Sequence, residues 1–172
     1  MLALRRRNVV AGLALAAIAL GVFVLLYFEP QKLFIDDVVH EAPPAPATAV
    51  APATGSATAT PATRTLSVGA FRSFEHASSG TARVLALADG RRYVRFERFR
   101  TSNGPALKVY LSAAPAAGPG DAFDDRYVSL GDLKGNIGEQ NYAIPRDVDL
   151  ARYRSVVVWC ARFHVPFAAA AL

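Results

Sequence analysis

Cys160 is the residue to weigh first, because the chain holds one cysteine. A lone thiol forms no intramolecular disulfide and builds no Cys-rich zinc fold. It closes the run Ser155-Val156-Val157-Val158-Trp159-Cys160, the most apolar stretch of the C-terminal part. On a strand, Cys160 shares a face with Val156 and Val158, while Val157 and Trp159 point the other way. Two roles are open to such a sulfur. Sealed in apolar surroundings it is a small hydrophobe. With access it is a redox thiol or an axial thiolate ligand to haem iron. Outside the cytoplasm an unpaired thiol is exposed to oxidation and cross-linking, so it is either hidden or in use.

Other candidates are sparse. His164 lies four residues after Cys160 and would share its face on a continuous strand, unless Ala161-Arg162-Phe163 turns the chain. Those two with one carboxylate would be a thin metal site, since structural zinc usually takes four ligands. Met1 is the only methionine and there is no C-x-x-C-H, which excludes a His/Met-ligated haem and covalent c-type attachment. Gly131 to Gly138 lacks the G-x-x-x-x-G-K-[ST] pattern and reads as a glycine-rich turn with a lysine. No G-x-S-x-G elbow exists, so nothing marks a hydrolase or transferase. Arg91, Arg92, Arg95, Arg98 and Arg100 crowd one hairpin, as a solvated strand face or as a contact for acidic polymers or headgroups. Lys and Arg outnumber Asp and Glu by 5 to 4 in residues 1–64 and by 14 to 10 in residues 65–172. That surplus is too mild for a nucleic-acid partner.

The elements that must position Cys160 read as strands. Val84 to Leu87 and Tyr93 to Phe99 flank Asp89-Gly90, a strong hairpin signal. Leu107, Val109 and Leu111 alternate with polar partners, and Tyr127 to Leu130 and Gln140 to Ile144 follow. Asp147 is a candidate N-cap for one helical turn reaching Arg152. Ser155 to Cys160 is apolar on both faces and reads as a central strand, and Pro166 directs the last stretch, Val165 to Leu172, to an edge or a bulge. Residues 65–172 are therefore expected to form an all-β fold, an antiparallel β-sandwich of about 7–8 strands.

The head of the chain is of another kind. Residues 1–8 carry Arg5, Arg6 and Arg7, and Val9 to Phe28 is 20 residues without a charge. A helix of that length spans roughly the 30 Å hydrocarbon core, and the arginines hold its N-terminus in the cytoplasm. The rival reading is a cleaved signal peptide, but the run is long and Leu25 to Phe28 are bulky where a peptidase wants small side chains. Residues 29–41 read as the frayed end of this transmembrane helix, or as a brief interfacial helix. Residues 42–64 are almost entirely Ala, Pro and Thr and are expected to be a disordered linker, a tether of at most roughly 70 Å.

Four segments together resemble the electron-transfer DM-thirteen domain family: GAFRSFEHASSGTARV (69–84), FERFRTSNGPALKVYLS (96–112), YVSLGDLKGNIGEQNYAIP (127–145) and SVVVWCARFHVPFAAAAL (155–172). The resemblance implies a β-sandwich and electron transfer or oxidative modification at the cell surface. It centres on one cysteine, matched here by Cys160, acting as a bare thiol or by holding a prosthetic group such as haem. In larger family proteins the domain accompanies DOMON domains and cytochrome b-type membrane proteins. This chain has neither, so a redox partner in the envelope must supply or take the electrons. The leading expectation is a single-pass, extracytoplasmic electron-transfer module working through Cys160, with Trp159, Tyr142 and His164 as pocket neighbours. The alternative is a non-catalytic binding or envelope-organising module that contacts partners through its glycine-rich loops and arginine hairpin.

Overall fold

No proline and no charge interrupts Val9 to Phe28, and in the computed structural model, which describes residues 2–46 and 63–172, helix α1 runs from Leu2 to Phe28. Its stretch Arg6–Phe28 is long and apolar enough to cross a membrane, with a mean hydropathy of 2.8. Glu29, in a left-handed conformation, and Pro30 end it, and Pro30–Phe34 form a short 3-10 turn. Of the proposed linker, residues 47–62 lie outside the described residues.

Nine strands follow among the described residues: β1 (Val38–His40), β2 (Arg64–Ser73), β3 (Ser79–Ala86), β4 (Arg92–Arg100), β5 (Leu107–Ser112), β6 (Tyr127–Asp132), β7 (Ile137–Ile144), β8 (Ser155–Cys160) and β9 (Val165–Ala171). They form one sheet in the order β1-β7-β4-β3-β2-β9-β8-β5-β6, curled so that its halves face each other. The corner is β2, whose residues up to Ala70 pair with β3 and whose last three pair with β9. Gly69 permits that corner, because a Cβ there would stand 2.1 Å from the Ala171 carbonyl oxygen. All pairings are antiparallel except β1 with β7.

The alternation within β8 decides the packing. Val156, Val158 and Cys160 join Phe71, Val94, Phe96, Phe99 and Tyr142 between the halves. The rings of Phe71, Phe96 and Phe99 meet with centroids 4.8–4.9 Å apart. Each buried ring contributes on the order of 2 kcal/mol. Val157 and Trp159 face outward under the 113–126 loop, which covers them with Ala116 and Phe123.

Of the two positions open to Pro166, an edge or a bulge, the structure has the bulge: in this interior strand Trp159 pairs with Pro166 and Val158 with Ala168. Two local readings are corrected. The cap of the 3-10 turn Leu150–Arg152 is Asp149, not Asp147, and its side chain accepts from the Ala151 N–H. Residues 38–40 are a strand, neither frayed helix nor interfacial helix. This last point changes the organisation. The chain enters the sheet at β1 before it reaches the Ala/Pro/Thr-rich segment and re-enters it at β2, so that segment joins two strands of one sheet. The link from α1 to the sheet is residues 29–37 alone.

The register also sorts the turns. Val38 pairs with Ile137, Ile137 with Arg100, and Arg100 with Ser79. Cys160 pairs with Leu107 and Val165. Hydrogen bonds from Phe74 N–H and the Ser78 hydroxyl to the Phe167 carbonyl bring both halves together here. Turns 74–78, 101–106, 133–136 and 161–164 therefore share the end at which the chain arrives from α1, and turns 87–91 and 145–154 share the other.

Candidate functional site

Cys160 ends β8 at the helix-proximal end, facing inward, and is 0% exposed. Its thiol donates to the Pro105 carbonyl oxygen at 3.2 Å. The loop 101–106 roofs it through Pro105, and the 161–164 turn closes against that loop. Each carries a non-glycine residue in the left-handed region, Ala106 at φ 56° and His164 at φ 54°. Such backbone costs roughly 1–2 kcal/mol per residue and persists only where the surroundings impose it. One hydrogen bond, Ala161 N–H to the Ala106 carbonyl at 3.1 Å, ties the loops together. Asn103 pins the first loop from outside, donating at 2.9 Å to both the Ile35 carbonyl and an Asp37 carboxylate oxygen.

The other expected neighbours separate into two groups. Tyr142 shares the inner core with Cys160. Its hydroxyl donates to Gln140 Oε1 and accepts from the Lys134 N–H, and burial pushes its pKa up. Gln140 in turn brackets Gly135, donating to its carbonyl at 2.7 Å and accepting from its N–H at 3.2 Å. Trp159 lies on the opposite face with its ring 6.3 Å from Tyr110. Tyr110, buried beside Tyr127, has its hydroxyl pKa pushed up to about 12, chiefly by loss of water. His164 meets the edge of Trp159 at 6.4 Å, is largely exposed, and holds Nδ1 3.4 Å from Asp124. The 161–164 segment is thus a turn, and Cys160 and His164 do not converge on a metal.

The glycine-rich segment and the arginine hairpin also have structural employment. A Cβ on Gly138 would lie 2.1 Å from the Val39 carbonyl oxygen, and one on Gly135 would lie 2.3 Å from that of Asp37, so these glycines admit β1. Arg95 is buried, and its guanidinium donates to Glu97, Asn141 and the Glu41 carbonyl. Arg92 donates to the carbonyls of Pro145, Arg146 and Val148. These two arginines build the fold, whereas Arg98 and Arg100 are exposed, as a solvated face requires, and half-exposed Arg91 pairs with Asp89.

A haem on Cys160 requires a cavity at the sulfur. The residue is closed even to a water-sized probe, and the nearby hollow beside Ala106 and Leu107 holds about 100 Å³. Ligand pockets run to roughly 300–1,000 Å³. The residues around Cys160 do not fit a haem.

Sequence reasoning missed Pro105 and Ala106 as the roof, and Asn103 as its fastening. Asn103-Gly104-Pro105 signals a break in the chain, but nothing in it tells what the break covers.

No curated protein and no solved structure gives a match. The family described as Electron transfer DM13 matches residues 70–172. That span holds Cys160, the roofing loop, the turn closed against it and the strands from β3 to β9, and leaves out α1 and β1. The match covers well over half of the chain and supports a general role in electron transfer: the chain belongs to the electron transfer DM13 family.

Proposed function

We propose that the chain is a single-pass, membrane-anchored electron-transfer module whose folded part lies outside the cytoplasm and whose redox group is the Cys160 thiol, uncovered when the roofing loop and the 161–164 turn part. The observation that carries this reading is the roof itself. The two loops next to the only thiol each carry one strained residue, Ala106 and His164, and one backbone hydrogen bond, from Ala161 to Ala106, ties them. The apolar stretch Arg6–Phe28, with Arg5 to Arg7 at its start, supports the anchor and its orientation. The partner is a protein of the envelope that presents a disulfide. In the exchange the Cys160 sulfur bonds to one partner sulfur, the partner's S–S bond breaks, its second sulfur leaves as thiolate, and the Cys160 proton passes to solvent.

The test is native-state alkylation of Cys160 in the full chain, reconstituted in lipid nanodiscs. Alkylation is expected to outpace global unfolding, and to slow in Ala106→Gly, where glycine relieves the left-handed strain and holds the roof closed. Modification only upon global unfolding would overturn the reading.

Complete burial and the bond to Pro105 favour a second reading, in which the sulfur is a packing group and the chain is a non-catalytic envelope module. In that case Cys160→Ala costs about 1–2 kcal/mol of stability and leaves function intact. In the redox case it abolishes electron exchange.

A further inference from the structure

We propose that the end of the domain carrying the 161–164 turn is seated in the headgroup layer of the same bilayer that α1 crosses, so that the domain is docked on the membrane and not tethered above it. The proposal rests on the membrane-anchored reading and goes beyond it.

The first support is the short link. Only residues 29–37 separate α1 from β1, and five of them are wound into the Pro30–Phe34 turn. The second is that β1 is fastened into the sheet along its whole length. Asp37 N–H donates to Asn136 at 2.7 Å, Asn136 donates to Asp36 at 2.7 Å, and Lys134 reaches Glu41 at 2.6 Å. The third is direct contact between the turn and the helix end. Phe163 stacks on Phe28 with centroids 6.1 Å apart, and the Arg162 guanidinium lies 4.0 Å above the Tyr27 ring and donates to the Tyr27 carbonyl.

What these contacts leave uncovered is apolar. Phe34 is 88% exposed, Ile35 52% and Phe163 51%. In water such a cluster beside a helix end has no reason to persist, whereas aromatic rings and snorkelling cations populate the bilayer interface. Arg162 and Lys32 supply the cations. Most carboxylates at this end are held by partners, Glu29 by Lys32, Asp36 by Asn136, Asp37 by Asn103, Asp124 by His164 and Asp132 by Lys108, while Glu75 stands exposed in the 74–78 turn. The patch is continuous with the end of α1, so its occupant is lipid.

The experiment places a nitroxide, one at a time, at Phe163→Cys, Phe34→Cys, Asp147→Cys at the opposite end, and Leu15→Cys within α1, in the full chain. Each is made in a Cys160→Ala background, so that the native thiol takes no label. Each labelled chain is reconstituted in nanodiscs of phosphatidylcholine and phosphatidylglycerol. Collision with dissolved oxygen, which partitions into lipid, is compared with collision with a water-soluble nickel chelate. Labels at 163 and 34 are expected to lose nickel accessibility and gain oxygen accessibility relative to 147. If 163 and 34 behave like 147 while 15 is shielded, the anchor stands and docking is overturned. If 15 is also reached by nickel, the anchored reading fails, and docking with it. Because two label positions probe the same patch, misfolding of one variant does not leave the result open.

Discussion

At the residue scale, the helix-proximal end is organised around Gln140 as much as around Cys160. Gln140 is 0% exposed and belongs to the strand that flanks the glycine-rich turn. It satisfies three buried groups at once: the Gly135 carbonyl, the Gly135 N–H and the Tyr142 hydroxyl. An unmade hydrogen bond in the interior costs about 1–3 kcal/mol, more than a formed one contributes. Gln140→Leu keeps the volume and removes all three partners. We expect it to destabilise the chain by about 3 kcal/mol or more, read as a fall in the denaturant midpoint with an unchanged slope. A loss below about 1 kcal/mol would mean that Gly135 and Tyr142 find other partners.

At the element scale, β1 is admitted by the absence of two side chains. Gly138 sits at φ 107°, a region closed to other residues, and any Cβ there would strike the Val39 carbonyl. Gly138→Ala should therefore expel β1, and backbone amides 38–41 should lose hydrogen-exchange protection in the full chain while those of β8 keep theirs. Equal protection in both would show that β1 tolerates the clash. The same element marks where sequence reading stops. The apolar patterning made β3 to β9 legible, down to the split of β8 into Val156, Val158 and Cys160 against Val157 and Trp159, but not the corner strand β2. Three hydrophobic-to-polar residues, Val38 to His40, carry no such pattern. Their pairing with Ile137 to Glu139 spans about a hundred residues and leaves no local trace. The three glycines of 131–138 announced a turn but not the strand two of them admit. For the site, the face that Cys160 shares with Val156 and Val158 was legible, but not that it is the inner one, and its roof depends on a loop more than fifty residues earlier in the chain. Strand parity puts His164 on the face of Cys160 only if Ala161 to Phe163 do not turn; they do, and His164 lies on the side of Trp159.

For the whole molecule, fastening β1 sets how freely the domain moves, and two carboxylates govern the fastening. Burial pushes Glu41 upward, but hydrogen bonds from Lys134 and Asn141 outweigh it and hold its pKa below the usual 4.5. Glu139 is held below the same value chiefly by its hydrogen bond with His40. Carboxylates lowered by folding stabilise the fastened state above their ordinary pKa, and that contribution disappears as pH falls through the lowered values. Glu97, lowered by Arg83 and Arg95 against the cost of burial, moves in the same sense, and Arg95 also holds the Glu41 carbonyl. Acidification below about pH 4.5 should therefore release β1 ahead of the remaining sheet. Once β1 is free, residues 29–63 form one continuous connection between α1 and β2, and the domain gains independent rotation. A fluorophore at Asp147→Cys in nanodisc-embedded chain should then show faster anisotropy decay below that pH, while the near-ultraviolet signal of buried Trp159 persists. Anisotropy and Trp159 signal falling together would show that β1 and the sheet come apart as one unit.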